Sequence, residues 1–115
     1  MRQVEFITSE DEQDLIVSFA LAPSAIRSLT ILRSPQYEHL LSEEERGATV
    51  GPLDARQAGR DLLVSVQWLG SRVVVKTHRH EYELDISAVD ENDVAQAKAV
   101  LRKMVSDGRA RLDGA

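Results

Sequence analysis

A chain of 115 residues, 43% hydrophobic and 29% charged, has the composition of one globular domain rather than of a disordered segment. It contains no cysteine, which excludes disulfides, thiolate nucleophiles and Cys-based zinc or iron–sulfur centres and fits a reducing compartment. The net charge of −5 argues against general binding to nucleic acid.

The opening stretch, MRQVEFITSEDEQD, has no apolar core of the kind that marks a secretory signal, and no run approaches a membrane span. The expected location is therefore cytoplasmic. "VEFIT" (4–8) and "DLIVSFALA" (14–22) read as strands joined by an acidic loop. In the second, Leu15, Val17, Phe19 and Leu21 share one face, and Phe6 of the first is expected in the core with them. Pro23-Ser24 reads as a turn into a third strand, "AIRSLTILR" (25–33), whose apolar residues Ile26, Leu29, Ile31 and Leu32 fall on both faces. Ser34-Pro35 then starts a short helix through "QYEHLL", "SEEER" offers a second start, and Gly47 a stop. "GATVGPLDARQAGRD" holds three of the six glycines and reads as a connecting loop over 47–60.

The second half is patterned more sharply. Leu62, Val64, Val66 and Trp68 alternate with Leu63, Ser65, Gln67 and Leu69, and Gly70-Ser71 is a two-residue loop of the glycine-first type. Such a loop sets Leu69 against Arg72, Trp68 against Val73 and Val66 against Val75, matching the apolar faces. An Arg79-His80 tip, or a wider His78–Glu81 loop of the same register, sets Thr77 against Tyr82, Val75 against Leu84 and Val73 against Ile86. It also faces His78 with Glu81 and Lys76 with Glu83. The spacing predicts a meander of 61–69, 72–78 and 81–87. In "SAVDENDVAQAKAVLRKMVSDG", Asp90, Glu91 and Asp93 crowd the front, and Lys98, Arg102 and Lys103 lie toward the back. Val94, Ala97, Leu101 and Met104 form one helical stripe, and Gly108 stands at the stop.

The expected fold class is α+β: an antiparallel sheet, or two, from two β-β-β-α units (3–46 and 61–107, joined by the 47–60 loop) in one domain. The long C-terminal amphipathic helix is expected to pack on the apolar face of the second meander. Charge is uneven along this plan. Residues 1–14 carry a local net of −4 and residues 98–111 a net of +4, so the two ends could pair, associate with another copy, present a basic face to an acidic partner, or simply stay solvated.

Motifs for chemistry are sparse. His78 and His80 have the His-x-His spacing of metal ligands, and His39 could add a third nitrogen. A zinc site needs three or four fixed ligands, whereas the hairpin places His80 in a bend, so no metal is expected and His78 and His80 are the nearest candidates. No Gly-x-Ser-x-Gly elbow, Gly-x-Gly-x-x-Gly turn or P-loop occurs. The acids of "EDEQD" and "EEER" read as solvated charge runs. Phe19, Trp68 and Tyr82 are assigned to the core, leaving no aromatic platform for RNA. No catalytic residue and no cofactor is expected. The sequence points to a non-enzymatic protein-binding or regulatory module, for example an inhibitor of a basic partner, with Glu43, Glu44, Glu45, Arg102 and Lys103 as the contact residues. A homodimer through a sheet edge is a further expectation. The rival is a ligand binder or enzyme with a cleft under the 47–60 loop, lined by His39 and Arg56 or Arg60. Metal binding at the His78/His80 hairpin comes third.

Overall fold

The computed structural model describes residues 2–22, 28–51 and 61–114. These hold eight strands and one α-helix. The strands are β1 (Arg2–Asp11), β2 (Leu15–Leu21), β3 (Ser28–Arg33), β4 (Thr49–Gly51), β5 (Leu63–Leu69), β6 (Arg72–Thr77), β7 (Glu81–Asp85) and β8 (Arg111–Asp113). The helix, α1, is Glu91–Met104, and two short 3-10 turns occupy Pro35–Leu40 and Glu43–Glu45.

All eight strands belong to one mixed sheet in the order β4-β3-β2-β1-β7-β6-β5-β8. This overturns the expectation of two β-β-β-α units. Two parallel contacts between segments remote in sequence decide the matter. Arg2 and Gln3 pair with Leu84 and Asp85, joining the two meanders, and β8 adds beside Ser65–Gln67 of β5. The sheet also curls until its β4 edge returns to the start of β5. Thr49 bridges Leu62, Val50 N donates to Asp61 O at 2.9 Å, and Leu63 N donates to Ala48 O at 2.9 Å. The outer edge of β5 is thus shared, its beginning taken by β4 and its middle by β8, in a barrel-like closure that leaves little backbone unpaired there.

The helix expected after the third strand is absent for a physical reason. Pro35–Leu40 and Glu43–Glu45 bury none of their residues. Segments this short need an apolar face packed on something to become α-helical. By contrast α1 is fully specified. The Asp90 side chain accepts from Asn92 N at 2.8 Å, Glu91 and Asp93 sit in the first turn, and Arg102 and Lys103 in the last. Ala97, Val100, Leu101 and Met104 are its buried residues, with Val94 partly buried. The helix ends before the expected stop: Val105 is its C-cap, and Gly108, left-handed at φ 79°, turns the chain three residues later. The helix packs chiefly against β1 and β2 rather than on the second meander. There it runs beside the length of β1 that β7 leaves unpaired, since β1 touches β7 only at Arg2 and Gln3. Lys103 meets Asp11 in an ion pair at the far end, so the two oppositely charged ends of the chain do meet.

The β5–β6 hairpin has the register its turn dictates, with Trp68 opposite Val73, Val66 opposite Val75, and Gly70 at φ 66°. Three local expectations fail. A bulge between Leu63 and Ser65 reverses the alternation, so Leu63, not Leu62, is buried. A second bulge, between Val4 and Phe6, buries Val4 and Ile7 and leaves Phe6 46% exposed. The β6–β7 hairpin is displaced by two residues. Val75 faces Tyr82 and Val73 faces Leu84, Thr77 N donates to His80 O at 2.8 Å, and the tip is His78-Arg79. A slip of two keeps every side chain on its face, so the core is unchanged while Lys76 now faces Glu81. In β3 the pattern is a clean alternation, with Leu29 and Ile31 buried and Leu32 outside. The Pro23-Ser24 turn and Ile26 lie outside the described residues.

A single core results. Phe19, Ile31, Val66, Val73, Val75 and Leu84 of the sheet meet Leu101 and Met104 of the helix, all within 2% of complete burial. Burial of side chains of this size contributes about 1.5–3 kcal/mol each. Phe19 and Trp68 stack tilted at 6.4 Å, and Lys98 lies 5.3 Å from the Trp68 ring centre, capping the core with its charge.

Candidate functional site

Three polar or exposed regions stand out, all near the place where β4 returns to β5. The first is built on Arg33, the inward-facing last residue of β3, only 8% exposed. Its Nε donates to Glu38 Oε2 at 2.7 Å and its Nη2 to Glu38 Oε1 at 2.8 Å. Its Nη2 also donates to Asp107 Oδ2 at 2.7 Å, and its Nη1 to Asp107 Oδ1 at 3.1 Å and to the Met104 carbonyl. A guanidinium has five N–H groups, and all five are spent. The ion pairs hold the Arg33 proton more firmly than usual, Glu38 most of all, and push the Asp107 carboxyl down to about 2, chiefly through its hydrogen bonds to Arg33. Glu38 is likewise held below the usual carboxylate range by Arg33. It also accepts from Gly47 N at 3.3 Å, where the chain turns at φ 125°. The arrangement ties β3, the first 3-10 turn and the end of α1 together. With no donor left, Arg33 has nothing to offer a ligand.

The second region is the buried carboxylate of Asp61 under the β6–β7 turn. Its Oδ2 accepts from Thr77 Oγ1 at 2.7 Å and His80 Nδ1 at 3.1 Å, and its Oδ1 from Arg79 N at 3.2 Å. Burial raises the affinity of this carboxyl for a proton, but the hydrogen bonds from Thr77, His80 and Arg79 outweigh that and leave it below its ordinary value. Thr77 Oγ1 in turn accepts from His80 N at 2.9 Å. The acid–histidine–hydroxyl set resembles a catalytic triad in composition only. The Thr77 hydroxyl is turned onto Asp61 rather than toward the imidazole, and Thr77 is 4% exposed, so it cannot serve as a nucleophile. The set fastens the turn, and this also explains the two-residue displacement of the hairpin.

The third region is apolar. Leu32 of β3, Tyr37 and Leu40 of the first 3-10 turn and Leu41 just after it line a groove of about 300 Å3 beside Thr49 of β4. Tyr37 is 57% and Leu40 73% exposed. Glu43, Glu44 and Glu45, all exposed, follow directly.

Between the first two regions lies a cleft of about 310 Å3 whose apolar walls include Ala48, Leu63, Met104 and Val105. Arg46, Arg109, His78 and Glu44 stand around it. His39 lies on the exposed 3-10 turn and takes no part, and Arg56 and Arg60 fall outside the described residues.

Of the contact residues expected from sequence, Glu43, Glu44, Glu45, Arg102 and Lys103 are all exposed. The structure brings Glu44 to the cleft, holds the Glu43 main chain through Arg109 Nη1 at 2.9 Å, and pairs Lys103 with Asp11. His78 and His80 do not converge on one point, since His80 is turned to Asp61 and His78 lines the cleft. Among the described residues no group of three or more His, Cys, Asp or Glu is placed to hold a metal ion. Sequence reading missed Arg33 and Asp61. The signal for Arg33 was its place in Leu29-x-Ile31-x-Arg33, a charge at an inward position of a strand.

The architecture is thus a small mixed-sheet, barrel-like domain with one helix closing its side. No family model matches this chain, no curated protein resembles it significantly, and no solved structure matches it. Among the described residues no helix is long and apolar enough to cross a membrane.

Proposed function

We propose that this protein is a non-enzymatic protein-binding or regulatory module. It docks an apolar, basic partner segment onto the Leu32–Tyr37–Leu40 groove and the adjoining acids Glu43, Glu44 and Glu45. The exposure of Leu40 and Tyr37 around one groove carries the reading. A single exposed leucine is ordinary, but a contiguous apolar patch bordered by charge is the usual mark of a contact surface. Three consecutive glutamates set the charge of the partner. Arrays of immobilised peptides that combine Leu or Phe with Lys or Arg provide the test. Such peptides should bind, acidic ones should not, and Leu40→Ser and the triple reversal E43K/E44K/E45K should each weaken binding about tenfold. Binding untouched by both changes overturns the reading.

Self-association is a second reading, supported by β8. It ends the sheet beside β5 and, among the described residues, has a neighbouring strand on one side only. In an antiparallel pairing of two copies centred on Leu112, Arg111 of each would face Asp113 of the other, a favourable cross-strand pair. Light scattering should then show a dimer weakened by Arg111→Asp and restored by the swap R111D/D113R. A monomer at all concentrations excludes it.

A further inference from the structure

We infer that the cleft between β4, the start of β5 and the end of α1 is a binding site for a small carboxylate carrying an aliphatic tail. Its volume, about 310 Å3, lies at the lower end of ligand pockets, which begin at about 300 Å3. The walls are apolar, formed by Ala48, Leu63, Met104 and Val105, and suit a short hydrocarbon chain rather than a sugar or nucleotide. The charged groups around it differ in what they have left to give. Arg33 is spent, because every one of its N–H groups already meets an acceptor. The Arg46 side chain makes one hydrogen bond, from Nε to the Leu41 carbonyl at 3.3 Å, and has no carboxylate partner among the described residues. Both of its terminal nitrogens therefore remain. Arg109 gives Nε to Asp107 and Nη1 to the Glu43 carbonyl, while its Nη2 is 3.9 Å from Glu43 Oε1, beyond hydrogen-bonding distance. Two guanidinium groups with unspent donors beside an apolar wall form the fork-and-tail arrangement that receives a carboxylate. Glu44 stands at the same cleft and opposes the anion. It restricts the site to a single negative charge and gives the proposal a signature of two signs.

The probe is hexanoate, with acetate, hexanol and hexylammonium as controls at matched ionic strength, read by thermal melting and by amide chemical shifts. Hexanoate should raise the melting temperature in a saturable way and perturb amides of residues 46–48, 63 and 104–110. The other three should not. Arg46→Gln should weaken hexanoate about tenfold, the loss expected for one charge-assisted pair, and Glu44→Gln should tighten it a few-fold by removing the like charge. No saturable shift with hexanoate, an equal response to hexanol, or an unchanged affinity in R46Q each overturns the proposal. Should R46Q fail to fold, the sign of the E44Q effect decides it: weaker or unchanged binding sinks the site. Peptide binding at Tyr37 and Leu40 is read separately and stands or falls on its own.

Discussion

Arg33 and Arg46 line the same cleft, thirteen positions apart in the chain, and they have opposite fates. Arg33 is buried, and each of its N–H groups meets an acceptor from Glu38, Asp107 or Met104. Arg46 is half-exposed, and its side chain makes a single bond, to the Leu41 carbonyl. A buried cation must be satisfied by the fold or it will not stay buried, so Arg33 reports on stability. An arginine at a cleft with donors unspent costs the fold little and leaves charge available for recognition. Identity and proximity are the same for both side chains; the hydrogen-bond count separates them.

Removing Arg33 should have the largest effect. Arg33→Ala leaves the part-buried Glu38 without a cation and Asp107 with Arg109 alone, which should cost about 3–5 kcal/mol, read as a lower urea midpoint. Asp61→Ala comes next, at about 1–3 kcal/mol, because the donors of Thr77, His80 and the Arg79 main chain lose their acceptor. Its amide exchange should quicken at 77–80 before the rest of the sheet. A third test uses acid. Asp107 is ordinarily near 3.8 and is held at about 2 in the fold. A depressed carboxyl contributes its stability above the unfolded value and loses it as pH falls through the folded value. Stability should therefore drop between about pH 4 and pH 2, with Glu38 and Asp61 adding in the same direction. Asp107→Asn should flatten this limb; an unchanged acid limb would mean that the Arg33–Asp107 pair contributes nothing. Arg46→Gln should change stability by no more than about 0.5 kcal/mol, as a surface substitution does. A loss as large as that of R33A would erase the distinction between the two arginines.

Much of the local structure could be read from the residues. Gly70-Ser71 set the β5–β6 register because a two-residue turn leaves no freedom in the pairing. Asp90 started α1 because cap chemistry acts within a few residues, whereas the helix stops at Met104, short of Gly108. The alternation from Leu62 onward misled, because a bulge costs one residue and inverts every face before it. Phe6 went the same way. The Arg79-His80 tip failed because Asp61, sixteen positions before Thr77, fixes the turn from outside it.

By itself the sequence determined the strands of the two meanders, one N-capped amphipathic helix and a net negative charge. Each depends on period, turn chemistry or charge within a short window. Only the tertiary structure decided that the strands make one mixed sheet. The parallel pairs of β1 with β7 and of β5 with β8, and the return of β4 to Leu62, join segments that have no local signal for one another. Such contacts are selected by the free energy of closing edges and burying one shared core, a quantity that belongs to the whole chain. For the same reason Arg33, Glu38 and Asp107 become a clamp, and Arg46 a candidate ligand contact, only once the chain has folded.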